Sequence, residues 1–425
     1  MENNRPFESG TVAEWLEVLA ARHPVEIDLG LARVETARRA LDLNLTMPVA
    51  AVGGTNGKGS VCAMLHEMLR AGGTRAGCYA SPHVMQFNER ICADGAAADD
   101  KTLLAAFARV EQTRAACGVS LTYFEFITLA AAHIFAEAKL DAAVLEVGLG
   151  GRLDAVNIFS ADAAAVTNIG LDHEEFLGSE TDGIAREKAG IFRRGRPAVI
   201  GDPNAPPALL AEAEKAGAEV ILAGREFKTE RAGNAWHYRG RRDLFNLPVP
   251  AMRGAHQIAN AACAIALLEN LPEELWPGTG AVRRGLHAAA APGRAQVLPG
   301  LPARVLDVAH NAAAAAALER MLFDMGYFPR TAAVWGMLAR KRPGDFVRAL
   351  NRRVDRWYAV CPEGGDVSAE TLAAAAEDAG GKAEACASMA EAEARARDYC
   401  GGSGRIVITG SFTTVADYMR HVSHE

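Results

Sequence analysis

The stretch AVGGTNGKGS, residues 51–60, nearly matches the phosphate-binding loop of nucleotide-binding proteins and departs from it in its glycine spacing. The usual loop has a glycine, four further residues, and then Gly-Lys followed directly by Ser or Thr. Here Gly59 follows Lys58, so Ser60 comes one position late, and Val52 stands where the first glycine is expected. The run is therefore a degraded phosphate loop, a chance glycine cluster or a different kind of nucleotide loop.

The context of this loop favours phosphate binding. The apolar run PVAAVGG (48–54) predicts a buried strand, and helically spaced apolar residues from Val61 to Leu69 predict a helix that ends at Gly72. Glycines between a strand and a helix can turn backbone N–H groups toward phosphate oxygens, and the helix N-terminus adds its positive dipole. Lys58 is then placed to neutralise the β- and γ-phosphates. The alternative is a glycine-rich turn with a surface lysine.

Strand-like and helical segments alternate on both sides of the loop. Helices are predicted at 11–24, 29–45, 99–117, 123–139, 181–192 and 254–271. Strands are predicted at 74–81 (TRAGCYAS), 140–148 (LDAAVLEVG), 161–169 (ADAAAVTNI) and 196–201 (RPAVIG). Strands that alternate with helices imply an α/β fold with a mostly parallel sheet covered on both faces.

The length of 425 residues predicts two or three domains. Residues near 218–250 are short, mixed and Arg-rich, which indicates a small β excursion. The stretch AAAAPGRAQVLPG (288–300) breaks the alternation, so we expect a first domain of residues 1–295 and a second of residues 296–425. Four strand-like runs, again separated by helices, make the second domain α/β as well: ARVLDVAHN (303–311), RTAAVWGML (330–338), RWYAVCP (356–362) and GRIVITGS (404–411).

Composition excludes several classes of function. The net charge of −7 argues against nucleic acid or an anionic membrane as the main partner, although a local basic pocket can still hold an anionic substrate. No apolar run approaches the roughly 20 residues of a membrane span, and the N-terminus has no signal-peptide layout. The eight cysteines are scattered, and several, such as Cys62 and Cys263, lie in apolar helical patterns. We therefore expect free thiols and a cytoplasmic protein.

Three polar residues follow predicted strands and should meet at one crevice. Glu146 ends a strand, where a carboxylate points into the crevice of a parallel sheet and can hold Mg²⁺. The alternative is a buried acid paired with a base. Ser81 and His173 follow the neighbouring strands, but Mg²⁺ prefers oxygen ligands, so by itself His173 is better interpreted as a hydrogen-bonded crevice histidine. A serine before a proline is likewise commonplace in turns.

Further polar residues lie outside this group. Lys188, near the end of a predicted helix, could be a solvated lysine paired with an acid such as Glu187. Asp307 and His310, with the neighbouring asparagine, close the first strand of the second domain and should face a crevice. Arg294, between the domains, could fold over a phosphate, or it could be a rim arginine.

Taken together, these strings resemble the folylpolyglutamate synthase/dihydrofolate synthase family, a branch of the ATP-dependent Mur-type amide ligases. Each string alone is weak, whereas nine in order over nearly the full length are highly specific. They are GGTNGKGS (53–60), SPH (81–83), LTYFEF (121–126), LEVGLGGRLDA (145–155), LDH (171–173), REKAGIF (186–192), PGR (292–294), DVAHN (307–311) and GSF (410–412).

The resemblance implies an architecture and a reaction. The expected fold is a P-loop-type, mostly parallel sheet domain with a smaller C-terminal Rossmann-like α/β domain, and ATP lies between the two. ATP phosphorylates a pterin-linked carboxylate to an acyl phosphate, which the amine of L-glutamate attacks. Such a reaction builds charge on phosphoryl oxygens, which Mg²⁺, Lys58 and loop amides can stabilise. A cleft that closes between domains would protect the acyl phosphate from water.

The resemblance also implies roles for individual residues. The nucleotide positions are Gly57, Lys58, Gly59, Ser60, Asn260, Arg294 and Asp307, and the magnesium positions are Ser81, Glu146 and His173. The pterin positions are Asp28, Leu29, Gly30, Leu31, Thr122, Tyr123, Phe124, Glu125, Leu153, Asp154 and Ala155. Lys188 matches a lysine that the family carries as a carbamate, and His310 is an active-site residue with a less defined role. The implied cofactors are ATP, two Mg²⁺ ions, a monovalent cation and the carbamylated Lys188.

Several functions remain open at this stage. LTYFEF and DLGLAR (28–33) look like the segments of bifunctional bacterial members, which add glutamate to dihydropteroate and then to reduced folates. The alternatives are polyglutamylation alone, or another Mur-type ligase, for which the stretch before residue 51 is too short to form a nucleotide-sugar domain. A regulatory or transport ATPase would not need DVAHN or a second domain. We expect a monomer that acts on small molecules and binds neither nucleic acid nor membrane.

Overall fold

The computed structural model describes residues 10–25 and 27–423, and its largest sheet has eight strands. They are β1 (Val49–Gly53), β2 (Ala76–Tyr79), β3 (Ile91–Ala93), β4 (Ala96–Ala97), β5 (Ala142–Glu146), β6 (Ala163–Val166), β7 (Pro197–Ile200) and β8 (Glu219–Leu222). In space they run β4-β3-β2-β5-β1-β6-β7-β8. All neighbours pair in parallel except the β2–β3 and β3–β4 pairs, which are antiparallel. The mostly parallel sheet predicted from the sequence is confirmed, and the β3–β4 edge was not predicted.

Helices cover both faces of this sheet, and one short helix, Glu174–Leu177, contributes no buried residue. They are α1 (Val12–Arg22), α2 (Ala32–Ala40), α3 (Lys58–Ala71), α4 (Asp100–Cys117), α5 (Tyr123–Glu137), α6 (Glu174–Leu177), α7 (Thr181–Ala189), α8 (Pro207–Ala216), α9 (His256–Leu268) and α10 (Thr279–Ala288). Strand β1 shows why its sequence is apolar throughout. Val49 and Ala51 join the core on one face, while Ala50 and Val52 join the core on the other. Burial on both faces removes the polar alternation of a half-exposed strand.

Residues 218–250 divide between two sheets. Strand β8 belongs to the main sheet, where it pairs with β7. A separate antiparallel sheet, in the order β11-β10-β9, contains β9 (Lys228–Ala232), β10 (Ala235–Arg239) and β11 (Leu244–Pro248). The predicted β excursion near 218–250 is therefore corrected to a shorter one that begins at β9. The mixed sequence before Lys228 hid a strand that lies at the sheet edge, where burial is incomplete.

The remaining residues build a six-stranded sheet. Its strands are β12 (Gln296–Leu298), β13 (Ala303–Leu306), β14 (Thr331–Trp335), β15 (Arg356–Ala359), β16 (Ala383–Ala385) and β17 (Arg405–Thr409), in the order β12-β13-β17-β14-β15-β16. Its helices are α11 (Ala312–Asp324), α12 (Pro343–Leu350), α13 (Ala369–Asp378), α14 (Met389–Cys400) and α15 (Phe412–Ser423). Only the β12–β13 pair is antiparallel. The four predicted strands are present, and the edge strands β12 and β16 add to them.

Two further properties concern the chain as a whole. Among the described residues, no helix combines the length and the apolar character needed to cross a membrane. All eight cysteines are free thiols, and Cys62 and Cys263 are fully buried, as their apolar surroundings in the sequence suggested.

Candidate active site

The carboxyl ends of strands from both large sheets line one cavity of about 860 Å³. From the first sheet, β1, β2 and β5 lead into lining segments, since β5 lies between β2 and β1 and the three strands are parallel. From the second sheet, the segments after β13, β14 and β17 also reach the cavity, and these three strands are neighbours as well. The cavity therefore lies where ligands bind in open α/β sheets, at the carboxyl edge.

The glycine loop after β1 is held open by its own backbone geometry. Gly54 (φ 133°) and Gly57 (φ 88°) adopt conformations that favour glycine, and Gly57 precedes α3 without any side-chain cap on that helix. Asn168, after β6, fastens the loop by accepting from the backbone N–H groups of Thr55 at 2.9 Å and Asn56 at 3.0 Å. An uncapped helix N-terminus facing a cavity is suited to bind an anion.

Replacing Gly57 with alanine is expected to destabilise the protein by about 1–3 kcal/mol and to weaken nucleotide binding. A Cβ atom at Gly57 would lie 2.5 Å from Oδ1 of Asn260, in a conformation that alanine rarely adopts. Denaturant unfolding and nucleotide titration measure the two effects. Gly59→Ala is the folding control: residue 59 is helical and its nearest neighbour would be 3.6 Å away, so stability should be kept. Equal stability of both variants would contradict this account.

Lys58 begins α3 and reaches back over the loop. Its Nζ donates to the carbonyl oxygens of Gly54 at 3.2 Å and Thr55 at 3.3 Å. Within the described part of the chain no carboxylate forms an ion pair with it. A cation that holds only neutral oxygens is available to an anionic ligand.

Glu146 is a buried carboxylate beside this loop. It pairs in register with Val52 of β1, and its Oε2 accepts from the backbone N–H of Ser81 at 3.2 Å. Burial raises the pKa of Glu146, against the opposing charges of Lys58 and Arg294. The carboxylate and Arg294 both lie near the first turn of α3, at 3.6 Å and 3.7 Å from where a Cβ of Gly59 would be. A buried acid with a raised pKa in a cleft is a functional candidate.

His173 has an unsatisfied ring nitrogen. Its backbone is in the left-handed region (φ 52°), and its Nδ1 is buried with no hydrogen-bond partner in the part of the chain that the structure describes. Burial lowers the pKa of His173 to about 4, so that the ring is neutral and keeps a lone pair for a ligand. No three His, Cys, Asp or Glu side chains cluster as a metal cage in residues 10–25 and 27–423. Ser81, Glu146 and His173 therefore fit a metal only if other ligands, such as nucleotide oxygens and water, complete its shell.

Lys188 is buried, which contradicts its interpretation as a solvated lysine. It is 5 % exposed, and its Nζ donates to the same Gly54 oxygen at 2.9 Å. Burial, assisted by the charge of Lys58, lowers the pKa of Lys188 to about 7. Glu187 instead pairs with Arg152 at 2.8 Å. The amine lies beneath the phosphate loop and does not line the cavity.

The remaining predicted nucleotide residues fall into two groups. Arg294 lines the cavity with its guanidinium 5.2 Å from the ring of Phe412. Three others do not line it: Ser60, Asn260 and Asp307. Both oxygens of Asp307 accept backbone N–H groups, from Ala295 at 2.8 Å and Ala309 at 2.9 Å. Asp307 thereby joins the inter-domain segment to the end of β13.

The segments predicted to bind a pterin also line this cavity, except Leu31. Phe124 packs over Gly148, where a Cβ would lie 2.6 Å from its ring. Asp154 accepts backbone N–H groups at 2.8 and 2.9 Å, and burial raises its pKa to about 6. Glu125 forms an ion pair at 3.1 Å with Arg33, which ties two of the segments together. These segments thus bring aromatic rings and fixed carboxylates together in the wall of one cavity.

Arg33 and Arg90 were not singled out individually by the sequence. Arg33 also pairs with Asp28 at 2.6 Å, so it bridges carboxylates from two segments. Arg90 lines the cavity, donates to Nδ1 of His83 at 2.8 Å and lies 5.7 Å from the centre of the Tyr123 ring. Arg33 lies within the quoted DLGLAR string, whereas the ERI segment around Arg90 carries no motif of its own.

Asp172 was quoted only within the string LDH (171–173) and was given no role, and it joins the two large sheets. Its Oδ2 lies 3.3 Å from Nε2 of His310 and accepts from Asn311 at 3.2 Å, while Lys341 donates to its Oδ1. Burial alone would raise the pKa of Asp172, but the hydrogen bond from His310 and the charges around it outweigh burial and hold the pKa well below its usual range. The sequence signal for this contact was the basic run at 340–342, but a basic run alone does not show which carboxylate it pairs with.

Comparisons with known proteins classify this arrangement. Residues 52–268 match the Mur ligase middle domain and residues 293–412 match the Mur ligase glutamate ligase domain. The fold and the site thus define an ATP-dependent ligase of the Mur type. The dihydrofolate synthase/folylpolyglutamate synthase of Escherichia coli strain K12 is 37% identical to the chain, over 97% of this chain and 96% of the relative. The chain belongs to the dihydrofolate synthase/folylpolyglutamate synthase family.

Solved structures agree with this assignment. The E. coli FolC structure in complex with DHPP and ADP is 36% identical and superposes with a TM-score of 0.91, covering 98% of each chain. A bifunctional folylpolyglutamate synthase/dihydrofolate synthase with Mn, AMPPNP and L-glutamate bound is 39% identical, with a TM-score of 0.88 and 98% of each chain covered. The expected two-part α/β architecture is therefore confirmed.

Proposed function

We propose that this enzyme uses ATP to join L-glutamate to dihydropteroate, giving dihydrofolate, and to reduced folates, giving polyglutamates. The observation that carries the proposal is the continuity of one cavity. It runs from the uncapped loop with Lys58, past Glu146, to the aromatic and acidic segments around Phe124 and Asp154. An acceptor carboxylate and a γ-phosphate can meet only where such parts share one space.

The proposed mechanism begins with the phosphates of ATP on the loop and the N-terminus of α3. Ser81, Glu146 and His173 would hold Mg²⁺, which neutralises charge on the transferred phosphoryl group. Lys58 and Arg294 place positive charge on the same side, and preorganised charges of this kind stabilise phosphoryl transfer. The acceptor carboxylate is phosphorylated, the glutamate amine attacks the acyl carbon, and phosphate leaves.

The other walls of the cavity bind the acceptor and exclude water. Phe124 and Tyr123 offer ring faces for a pterin, and Asp154, fixed by backbone N–H groups, can accept from its ring nitrogens. His310 and Phe412 close the cavity from the second sheet, with ring centres 5.9 Å apart. Exclusion of water protects the acyl phosphate until the amine arrives.

Lys188 is proposed to carry a carbamate. A neutral amine is needed to attack CO₂, and the pKa of about 7 makes the unprotonated form abundant at neutral pH. The N–C bond forms, one proton leaves the nitrogen, and an anionic oxygen ligand results. Such an anion is suited to a second Mg²⁺ ion, and a monovalent cation nearby is a prediction of the same kind.

Bicarbonate supply should change the occupancy of Lys188. A crystal grown with bicarbonate above pH 7 is expected to show density continuing beyond Nζ of Lys188 and none beyond Nζ of Lys58. The second lysine is the internal control because it lies in the cavity wall rather than beneath it. Activity of carbonate-depleted enzyme should rise on adding bicarbonate. Plain lysine density with unchanged activity would refute the modification.

The function itself is tested by one assay. The protein is incubated with ATP, Mg²⁺ and labelled L-glutamate, with dihydropteroate, with tetrahydrofolate, or with neither. Incorporation of label with both acceptors is expected. Incorporation with tetrahydrofolate alone would reduce the function to polyglutamylation, and phosphate release that needs neither acceptor nor glutamate would refute ligation. Gel filtration with light scattering tests the predicted monomer.

A further inference from the structure

Three side-chain donors from the segments that follow strands of the second sheet meet at Asp172, which follows β6 of the first sheet. Its side chain is 9 % exposed, and its carboxylate is contacted by the side-chain nitrogens of His310, Asn311 and Lys341. These three residues follow β13 and β14. The only other donor to Asp172 among the described residues is the adjacent backbone N–H of His173, at 3.0 Å. Three of its four donors therefore come from a part of the chain well over one hundred residues away.

One of these donors continues to the phosphate loop. Asn311 donates from Nδ2 to Oδ1 of Asn56 at 3.1 Å and accepts from the Asn56 amide at 3.3 Å. The same Asn311 caps α11 by accepting from the backbone N–H of Ala314 at 2.9 Å. The loop, Asp172 and the start of α11 are thus joined through the side chain of Asn311.

Two further ion pairs join the segment after Asp172 to the segment that contains Lys341. Glu174 pairs with Arg342 at 2.6 Å and Glu175 with Arg340 at 4.0 Å. Arg342 is 60 % exposed, so its pair is solvated and expected to contribute little. The Asp172–Lys341 pair is different, because both side chains are only 9 % exposed. Within this interface, the buried pair is the one that fixes geometry.

We propose that Asp172 is a positioning residue that fixes the two sheets relative to each other and aligns His310 and Lys341 in the wall of the cavity. It acts through these neighbours rather than on the reacting atoms. The expected fall in kcat rests on the proposed ligation, whereas the expected change in hydrogen exchange rests on the geometry alone. Removing the charge of a buried, hydrogen-bonded carboxylate leaves its cationic and polar donors without their partner. The second sheet should then lose its fixed position relative to the first.

The experiment compares Asp172→Asn and Asp172→Ala with Glu174→Gln as the matched control. Hydrogen–deuterium exchange of the full chain with ADP and Mg²⁺ is followed by mass spectrometry. We expect faster exchange at 308–312 and 338–342 in both Asp172 variants, with α3 unchanged. Their kcat should fall on the order of 10- to 100-fold, because a misplacement of about 1 Å costs this much, while KM for ATP changes less than about threefold. Glu174→Gln should alter each quantity less than about twofold.

The outcomes separate the possible roles of Asp172. Exchange that rises only at 168–178 would make Asp172 a residue of its own loop and overturn the proposal. Unchanged exchange, with or without a loss of kcat, would overturn it as well. If the protein proves not to ligate glutamate, the exchange pattern still decides whether Asp172 holds the two sheets together. Asp172→Asn keeps the shape of the side chain and provides the result if Asp172→Ala does not fold.

Discussion

Replacing Lys58 with alanine should lower kcat for glutamate ligation on the order of 10³-fold while leaving the free energy of unfolding within about 1 kcal/mol of the parent value. Among the described residues, the Lys58 Nζ donates only to the carbonyl oxygens of Gly54 and Thr55, so little native structure depends on it. In the transition state of the proposed reaction, by contrast, charge spreads over the phosphoryl oxygens that this loop would hold. An interaction stronger in the transition state than in the ground state acts mainly on kcat.

Steady-state kinetics and denaturant unfolding together measure this prediction. Lys58→Arg is the matched control, because it keeps the charge but changes the shape of the donor, and it should recover part of the activity. The same loss in both variants would mean that the exact position of the ammonium group matters more than its charge. A variant that unfolds would show that Lys58 is structural, and a variant with normal kcat would remove Lys58 from the phosphate site.

The parts of the site that sequence predicted share one physical origin. Buried parallel strands carry long apolar runs, so their carboxyl ends can be located from sequence, and residues at those ends must meet at one edge. This logic placed Lys58, Glu146, Ser81 and His173 near one cavity. It also placed His310 at a second edge, which faces the same cavity in the structure.

The parts that sequence missed depend on how distant segments dock. Asp172 and Lys341 are far apart in the chain, and the sequence around either residue does not indicate that the two form a pair. Lys188 lies in a helix whose pattern cannot reveal that the phosphate loop covers its amine. Strands β3, β4, β12 and β16 are only two or three residues long, too short for periodicity to detect.

Glu146→Gln should lower kcat while leaving the free energy of unfolding unchanged or raising it. Glutamine keeps the size of the side chain and can still accept from the Ser81 N–H, but it loses the charge that would hold Mg²⁺. We expect kcat to fall on the order of 10³-fold, similar to the loss of one preorganised charge elsewhere in catalysis. The free energy of unfolding should stay the same or increase, because the buried charge carries a desolvation cost that its partners do not fully offset.

The pH dependence of stability tests the reason for this effect. Because the pKa of Glu146 is raised in the folded protein, the folded state holds its proton to higher pH than the unfolded chain does. Below the ordinary glutamate value of about 4.3, both states are protonated and the variant should have no advantage over the parent. As the pH rises through that value and then through the folded pKa, the parent loses the stability that this proton contributed. The variant has no titrating group at this position, so its advantage over the parent should grow across the same pH range.

Unfolding in metal-free buffer at several pH values between 4 and 8 measures this difference, since a bound metal would add its own stabilisation. Adding Mg²⁺ and ADP should then stabilise the parent more than the Glu146→Gln variant, by linkage between binding and folding. A variant that is less stable than the parent at neutral pH would mean that the Glu146 carboxylate holds the Ser81 turn in place. Equal stabilisation of both proteins by Mg²⁺ and ADP would mean that the metal binds elsewhere, and that Glu146 is a buried acid held by Lys58 and Arg294.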